Sequence, residues 1–400
     1  MEKVTRDVCM LTYPPKVYGR TLEEVERTAQ EVIERIFRDK DGILRSGVNG
    51  RDMQPLEEKD VPDRPHGFGT HAEYAAAPRR LKAVWLNYEN TGQASGKYLR
   101  AMLNKYAVTK DPKVLGHARK TLEALALLWN NCARDHQWGR GWMPKPYGGI
   151  REVAEVFECS VDQYCDITQG IDAFSREAAT PSERQMIKEM ILSFADWWID
   201  HDYTAGYFGI CNYWKKAGAH PAGYFLYLNA LAYSIVPRRK YLEGFNLWLE
   251  LSQHLSAPTR RVCLNGNGLA LECLQRLMEL RPDHREFWLL CARTCADNMV
   301  ALFREGQAFV GNPTRFQMNA YCAHHLCTAH ALLPERGYDK MIAELLTTYN
   351  KRGDFYHLSR GQRLDKISPM VAGGDYRNTF WAEGHIAWLN AYWTLKRLGR

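Results

Sequence analysis

Two acidic residues four positions apart, Asp162 and Asp166, offer the most direct route to chemistry in this sequence. In a helix this spacing places both carboxylates on one face. Two carboxylates in a poorly solvated pocket raise the pKa of one of them, which gives a general acid near neutral pH. The structural alternative is that Asp162 caps the helix with Ser160 while Asp166 pairs with a basic side chain. We expect Asp162 to be catalytic and Asp166 to bind substrate.

Aromatic residues occupy two glycine-containing loops, with Trp142 in the segment QWGRGWMPKPYGG and Trp214 in the segment 203–219. Aromatic rings on such loops serve as platforms for sugar rings, or they fill the rim of a core. The residue types alone fit both roles.

A cluster of cysteine and histidine residues at 322–330, CAHHLCTAH, calls for a test of metal binding. A tight zinc site needs a Cys-x2-Cys pair followed by a second pair, and neither occurs here. Satisfied histidines in a buried helix are the favoured interpretation, so we expect no metal and no cofactor. The sequence contains no phosphate-binding glycine loop, no Gly-x-Ser-x-Gly elbow and no dinucleotide fingerprint.

Composition limits the class of protein. The 400 residues are 46% hydrophobic and 12% aromatic, which excludes a disordered chain. The net charge of +7 is spread without long runs, which favours a small anionic ligand over nucleic acid. No apolar stretch has membrane-spanning length, no secretory signal stands at the amino end, and many of the 11 cysteines lie in apolar segments. We expect a cytoplasmic protein without membrane or nucleic-acid partners; its oligomeric state stays open.

Helical periodicity dominates, and charged amphipathic helices alternate with apolar ones. The sequence predicts twelve helices, at 21–38, 90–106, 113–132, 162–176, 181–202, 220–236, 239–255, 268–280, 284–304, 316–333, 338–349 and 378–398. Their alternation predicts an all-α fold in which six hairpins close into an (α/α)6 toroid, with the apolar helices inside. We expect one domain over residues 1–400, with the long loop 40–85 at the rim. The irregular spacing argues against a solenoid.

The connections place the candidate site. Links that lead into the apolar helices are long and rich in aromatic residues, whereas links that leave them are short, so the toroid forms a funnel. The amino ends of the inner helices then surround its mouth. All six carry polar residues, which either cap the helices or bind substrate: Glu89, Asn90, Asp162, His220, Asn267, Asn319, Tyr321 and Arg377.

Several motifs carry a family resemblance. Asn90-Thr91-Gly92 and the downstream segment 106–111 are similar to a first active-site helix with its "Y-x-x-T-G-D" ending, and Val161-Asp162 is similar to an aliphatic-Asp entry. The segments 265–280 and 381–395 match a small-residue helix and an aromatic final helix. The chain thereby resembles the six-hairpin (α/α)6 glycosidase superfamily, particularly unsaturated glucuronyl and rhamnogalacturonyl hydrolases. It departs from them at Asn90, which Glu89 precedes, where those enzymes usually carry a second Asp.

The resemblance implies a glycoside hydrolase that acts on oligosaccharides containing uronic acid, and hence an anionic oligosaccharide as partner. Asp162 would be the general acid/base and Glu89 the second carboxylate. His220 and Arg377 would hold the uronate carboxylate. The other expected binding residues are Asn90, Trp142, Asp166, Trp214, Tyr224, Asn267 and Asn319.

Three other functions fit the same sequence. A lyase that eliminates at a uronate would use His220 with Tyr224, Asn319 with Tyr321, and Arg377 to neutralise the acid and remove its C5 proton. A sugar 2-epimerase of the N-acylglucosamine type has the same length and fold. A non-enzymatic helical scaffold would need no converging carboxylates.

Overall fold

Helices make up nearly all of the regular structure in this computed structural model. The structure describes residues 21–49, 53–57, 59, 83, 87–135, 139–151, 158–207, 210–213, 215, 218–257, 263–305, 318–352 and 379–399. Within these ranges there are twelve α-helices: α1 Leu22–Val32, α2 Thr91–Thr109, α3 Pro112–Asp135, α4 Val161–Glu177, α5 Pro181–Asp200, α6 Ala219–Ile235, α7 Arg239–Leu251, α8 Leu264–Leu280, α9 Arg285–Arg304, α10 Met318–Leu332, α11 Tyr338–Arg352 and α12 Ala382–Arg397.

Short strands supplement the helices. They are β1 Gly47–Asn49, β2 Thr204–Tyr207, β3 Ile210–Tyr213 and β4 Thr379–Trp381. The pairs β1 with β4 and β2 with β3 are both antiparallel. A π-helical turn, Ile33–Phe37, continues α1.

The even-numbered helices form a closed inner ring. Each of them contacts the next in the order α2, α4, α6, α8, α10, α12, and α12 returns to α2. The odd-numbered helices pack on the outside. In α6 every residue from 221 to 232 is buried, because an inner helix has neighbours on all sides. This arrangement confirms the predicted (α/α)6 toroid.

Local sequence explains where several helices begin. Thr21 and Glu24 form the predicted capping box of α1. Helix α8 begins at Leu264, four residues before the predicted start, because the Cys263 sulfur accepts a hydrogen bond from the Gly266 amide at 3.0 Å. Helix α12 begins at Ala382 and not at 378, since residues 379–381 form β4.

Ser46 joins the first and last inner helices at their amino ends. Its hydroxyl oxygen accepts a hydrogen bond from the Asn90 amide at 2.6 Å, immediately before α2. Its carbonyl oxygen accepts one from the Ala382 amide at 2.9 Å, at the start of α12. The adjacent β1–β4 pairing sets Val48 opposite Phe380. These contacts connect the first and last inner helices, α2 and α12, at the rim that carries the candidate site.

No helix in the described ranges combines the length and the apolar character that crossing a membrane requires. The loop expected at 40–85 is described only in part.

Candidate functional site

Asp162 is the second residue of α4 and lies among polar groups at the amino rim of the ring. The Ser160 hydroxyl and the Gln163 amide, the latter at 2.9 Å, both donate to its Oδ1. Burial by itself raises the pKa of Asp162, but the nearby charges of Lys145 and His220 and the hydrogen bond from Ser160 outweigh it, so the pKa is lowered. Of the two carboxyl groups in the Asp162–Asp166 pair, Asp166 is the one with a raised pKa, because burial and the charge of Glu272 outweigh the charges of Lys97 and Arg100. Asp162 is ionised at neutral pH.

Asp166 lies one turn deeper, where two cations hold it. The Lys97 ammonium donates to its Oδ2 and the Arg100 guanidinium to its Oδ1, both at 2.8 Å. The side chains of Lys97 and Asp166 are fully buried. Asp166 thus takes the structural role that the sequence left open, an ion pair between α2 and α4.

Glu89 and Asp162 both interact with the same lysine, Lys145. The Lys145 ammonium donates to Glu89 Oε1 at 2.5 Å, and its charge also lowers the pKa of Asp162. Only 1% of the Lys145 side chain is exposed. The loop that contains Trp142 therefore contributes a buried cation between two carboxylates, a role that sequence analysis did not assign to it.

Glu383, in the first turn of α12, is a further carboxylate that sequence analysis missed. Its Oε2 accepts a hydrogen bond from the Tyr321 hydroxyl. Its Oε1 is buried, and the Asn90 side chain is a further hydrogen-bond partner of this carboxyl group that lowers its pKa. Burial and the negative charge of Glu89 raise the pKa of Glu383 to about 7, against the lowering effects of Tyr321 and Lys97.

A signal for Glu383 was present in the sequence. It is an acidic residue in the first turn of the sixth inner helix, just as Asp162 is in the first turn of the second. The predicted start at 378 placed Glu383 in the second turn of the helix, so it was not counted among the polar residues at the amino ends of the inner helices.

The other predicted residues divide between rim and core. Asn90 is half-buried, and its Oδ1 accepts a hydrogen bond from Gln163 Nε2 at 3.1 Å, which links α2 to α4 below the carboxylates. His220 is half-buried beside Gly266, and burial lowers its pKa although Asp162 opposes this. Tyr321 joins the site through Glu383.

Three predicted substrate-binding residues lie inside the fold instead. Trp142 is 1% exposed and packs on Trp197 with ring centroids 4.9 Å apart, so it fills the core. Tyr224 is fully buried with its hydroxyl 3.2 Å from Thr168 Oγ1. Asn267 is buried and donates to the Cys263 carbonyl at 2.9 Å. Trp214, Arg377 and the side chain of Asn319 lie outside the described residues.

Beneath the rim, charged and polar side chains form a layer across the ring. This polar layer consists of Lys97, Arg100, Asp166, Glu272, His324 and His325. Within it Glu272 Oε1 lies 2.8 Å from His324 Nε2 and 2.7 Å from His325 Nδ1. One carboxylate oxygen and two imidazole nitrogens therefore converge in a donor set that suits a metal ion.

A chain of hydrogen bonds determines which ring nitrogen of His324 carries the proton, and this decides whether the residue can bind a metal ion. Arg397 Nη1 donates to Asn104 Oδ1 at 3.0 Å, Asn104 Nδ2 donates to Asn390 Oδ1 at 2.9 Å, and Asn390 Nδ2 lies 3.1 Å from His324 Nδ1. A guanidinium can only donate hydrogen bonds, so the side-chain oxygen of Asn104 must face Arg397 and its amide nitrogen must donate to Asn390. The amide nitrogen of Asn390 then faces His324, and His324 Nδ1 must accept the hydrogen bond. The proton of neutral His324 is then on Nε2, which donates a hydrogen bond to Glu272.

The charges of the layer agree with this assignment. Arg100 Nη1 donates to the other oxygen of Glu272 at 2.8 Å, so the carboxylate already has a cation. Burial lowers the pKa of His324 to about 3 despite Glu272, which keeps the imidazole neutral. A metal ion would have to displace a proton and approach a guanidinium. These residues fit a hydrogen-bonded layer better than a metal centre.

Comparison with known proteins bears on the fold. No protein-family model matches the sequence, and no curated protein does. Among solved structures, the chain is similar to the glycoside hydrolase family 76 mannosidase Bt3792 of Bacteroides thetaiotaomicron VPI-5482. That match has 11% identity and a TM-score of 0.56, and it covers 95% of this chain and 100% of that one.

A second similar structure is a family 76 glycoside hydrolase from a bovine Bacteroides thetaiotaomicron strain, with 9% identity and a TM-score of 0.56. It covers 94% of this chain and 78% of that one. The shared property is the (α/α)6 fold.

The arrangement at the rim can both donate and accept a proton. Glu383 with a pKa of about 7 is largely protonated in mildly acidic solution and about half protonated at pH 7, while Asp162 is ionised. A pair of carboxyl groups with separated pKa values is what acid–base catalysis near neutral pH requires.

Proposed function

We propose that this protein is a carbohydrate-active enzyme and, more narrowly, a glycoside hydrolase. The observation that carries the proposal is the contrast between Glu383 and Asp162, two carboxyl groups at one rim whose environments move their pKa values apart. The fold shared with the family 76 glycoside hydrolases supports it, since that fold presents the amino ends of its inner helices at a common mouth.

In the proposed reaction Glu383 is the general acid. Its proton passes to the glycosidic oxygen as the bond from that oxygen to the anomeric carbon breaks. Asp162 is the ionised partner, which either removes a proton from the attacking water or attacks the anomeric carbon itself. Tyr321 positions Glu383 by its hydrogen bond, and Glu89 acts through its negative charge, which keeps Glu383 protonated. This reverses the part first expected of Asp162.

The substrate class we propose is an oligosaccharide, and a uronic acid within it is the finer proposal. Support for a negative sugar comes from the net charge of +7.

The test is a panel of neutral mannosides and of saturated and unsaturated uronic-acid oligosaccharides, analysed by product mass and by ultraviolet absorbance. Wild type is compared with Glu383→Gln and with Glu286→Gln, an exposed glutamate in the first turn of α9. We expect cleavage with a gain of one water, a fall in kcat of about 10²–10⁴-fold in Glu383→Gln, and no change in Glu286→Gln.

The other reaction classes give different products. Rising absorbance that depends on Glu383 would indicate elimination, and a product of unchanged mass would indicate epimerisation; either would replace the hydrolase proposal. Cleavage of the neutral mannosides alone would refute the proposal that the substrate contains a uronic acid. Equal activity in Glu383→Gln and wild type would refute the assignment of the acid.

A further inference from the structure

A second opening lies at the other end of the ring. A cavity of about 330 Å³ is lined by residues from the carboxyl-terminal parts of α4, α8, α10 and α12, opposite the rim that holds Asp162 and Glu383. The polar layer separates the two, and Arg100, Glu272 and His324 of that layer line the cavity. Its interior wall is buried, with Tyr227 fully buried and Glu272 and Asn390 nearly so.

The charges of the cavity wall cancel. Four arginines and four carboxylates line it. Most are already paired within the wall: Arg100 with Glu272 at 2.8 Å, Arg276 with Asp172 at 2.9 Å and Arg397 with Glu177 at 2.8 Å. A charged ligand would have to break one of these ion pairs, so its binding would cost more free energy than the binding of a neutral ligand, which leaves the pairs intact. The wall therefore favours an uncharged molecule.

Hydrogen-bonding capacity remains on the same wall. Arg100 Nε is buried without a partner among the described residues, and such buried donors are uncommon. The polar side chains of Gln275 and Thr328 also line the cavity. A ligand with several hydroxyl groups would satisfy these donors and acceptors while the ion pairs stay intact.

Size and apolar surface narrow the ligand further. The volume equals roughly eleven water molecules, at the small end of ligand sites. Leu103, Ala173 and Ala331 give the wall apolar patches between its polar groups. We propose that this carboxyl-end cavity is a second binding site, for a neutral polyhydroxylated molecule of monosaccharide size. The proposal does not depend on the reaction at the opposite rim.

The experiment is hydrogen–deuterium exchange by mass spectrometry on the full chain, titrated with monosaccharides. D-Glucose and D-mannose are the neutral probes, D-glucuronate and inorganic phosphate the anionic ones, and D-glucosamine the cationic one. We expect the neutral sugars to slow exchange about twofold or more in segments 169–177, 272–279 and 324–331. Segments 89–97 and 160–166 report separately on the catalytic rim.

Variants test the location. Ala331→Trp fills the cavity and should weaken neutral-sugar binding by about tenfold or more, whereas Ala343→Trp, at an exposed alanine of α11, should not. Gln275→Leu keeps the size of the side chain and should also weaken binding, which covers the case in which Ala331→Trp folds poorly.

Protection confined to segments 89–97 and 160–166, or binding of phosphate or glucuronate but not of neutral sugars, would overturn the proposal. So would equal binding by Ala331→Trp and Ala343→Trp. None of these results affects the hydrolase proposal, because that proposal is tested by products and by Glu383→Gln.

Discussion

The Tyr321 hydroxyl, on α10, donates a hydrogen bond to Oε2 of Glu383, on α12, whose other carboxyl oxygen, Oε1, is buried. The hydroxyl stabilises the ionised carboxylate, whereas burial and Glu89 disfavour it more strongly. The balance between these effects sets the pH range in which Glu383 can donate a proton.

The first prediction concerns the pH profile of kcat/KM. Glu383 must be protonated to act as the acid, so activity should fall about tenfold per pH unit above pH about 7. Tyr321→Phe removes a hydrogen bond that lowers the pKa of Glu383, so this alkaline limb should move to higher pH. Tyr233→Phe, a half-buried tyrosine on α6, is the matched control. A limb that stays in place in Tyr321→Phe would argue against Glu383 as the titrating group.

The second prediction is a pH dependence of stability. The pKa of Glu383 in the folded state, about 7, is above the ordinary value of 4.5, so between these pH values the folded state binds more protons than the unfolded state. The free energy of unfolding therefore falls as pH rises from 4.5 to 7, by about 3 kcal/mol from this group.

Glu383→Gln should remove that contribution. Urea unfolding of the variant and wild type at several pH values measures the difference between their slopes. Identical slopes for the two proteins would show that Glu383 has an ordinary pKa in the folded state. Glu286→Gln, at an exposed position of α9, serves as the control variant.

The toroid could be predicted because its signal is local. Helix α6 is expected at 220–236 and lies at Ala219–Ile235, since a run of mostly small and apolar residues without a charge indicates an inner helix. The order of charged and apolar helices then fixed the ring.

The parts of the site that the sequence missed depend on distant partners. Glu383 lies at the rim because β4 pairs with β1, more than three hundred residues earlier, and no local pattern shows that pairing. The role of Asp166 likewise depends on Lys97 and Arg100 of another helix. Trp142 fills the core because Trp197 is opposite it, although the same loop sequence would suit an exposed platform.

The third prediction tests the polar layer. Lys97→Met leaves Asp166 buried with one cation fewer, which should lower the free energy of unfolding by about 3–5 kcal/mol. Lys396→Met removes an exposed pair with Glu23 and should cost less than about 1 kcal/mol. Urea unfolding compares the two variants. Equal losses would mean that the buried pair is no more important to folding than the surface pair.

The last prediction concerns the close crossing of α2 and α4. A Cβ atom at Gly96 would lie 2.2 Å from the Asp166 carbonyl oxygen and 2.6 Å from the Ile167 amide nitrogen. These are backbone atoms, so the Cβ could be accommodated only if the two helices separated, and this would disturb the ion pairs of Asp166. Gly96→Ala should therefore lower the free energy of unfolding by about 3 kcal/mol or more.

Gly116 on α3 is the matched control, because a Cβ there would meet nothing within 4 Å. Gly116→Ala should leave stability unchanged or raise it by up to about 1 kcal/mol, since alanine loses less backbone entropy in a helix. Both variants are measured by urea unfolding at one pH. If Gly96→Ala were as stable as Gly116→Ala, the two inner helices could not cross as closely as described, and the positions of Lys97 and Asp166 beneath the rim would have to be revised.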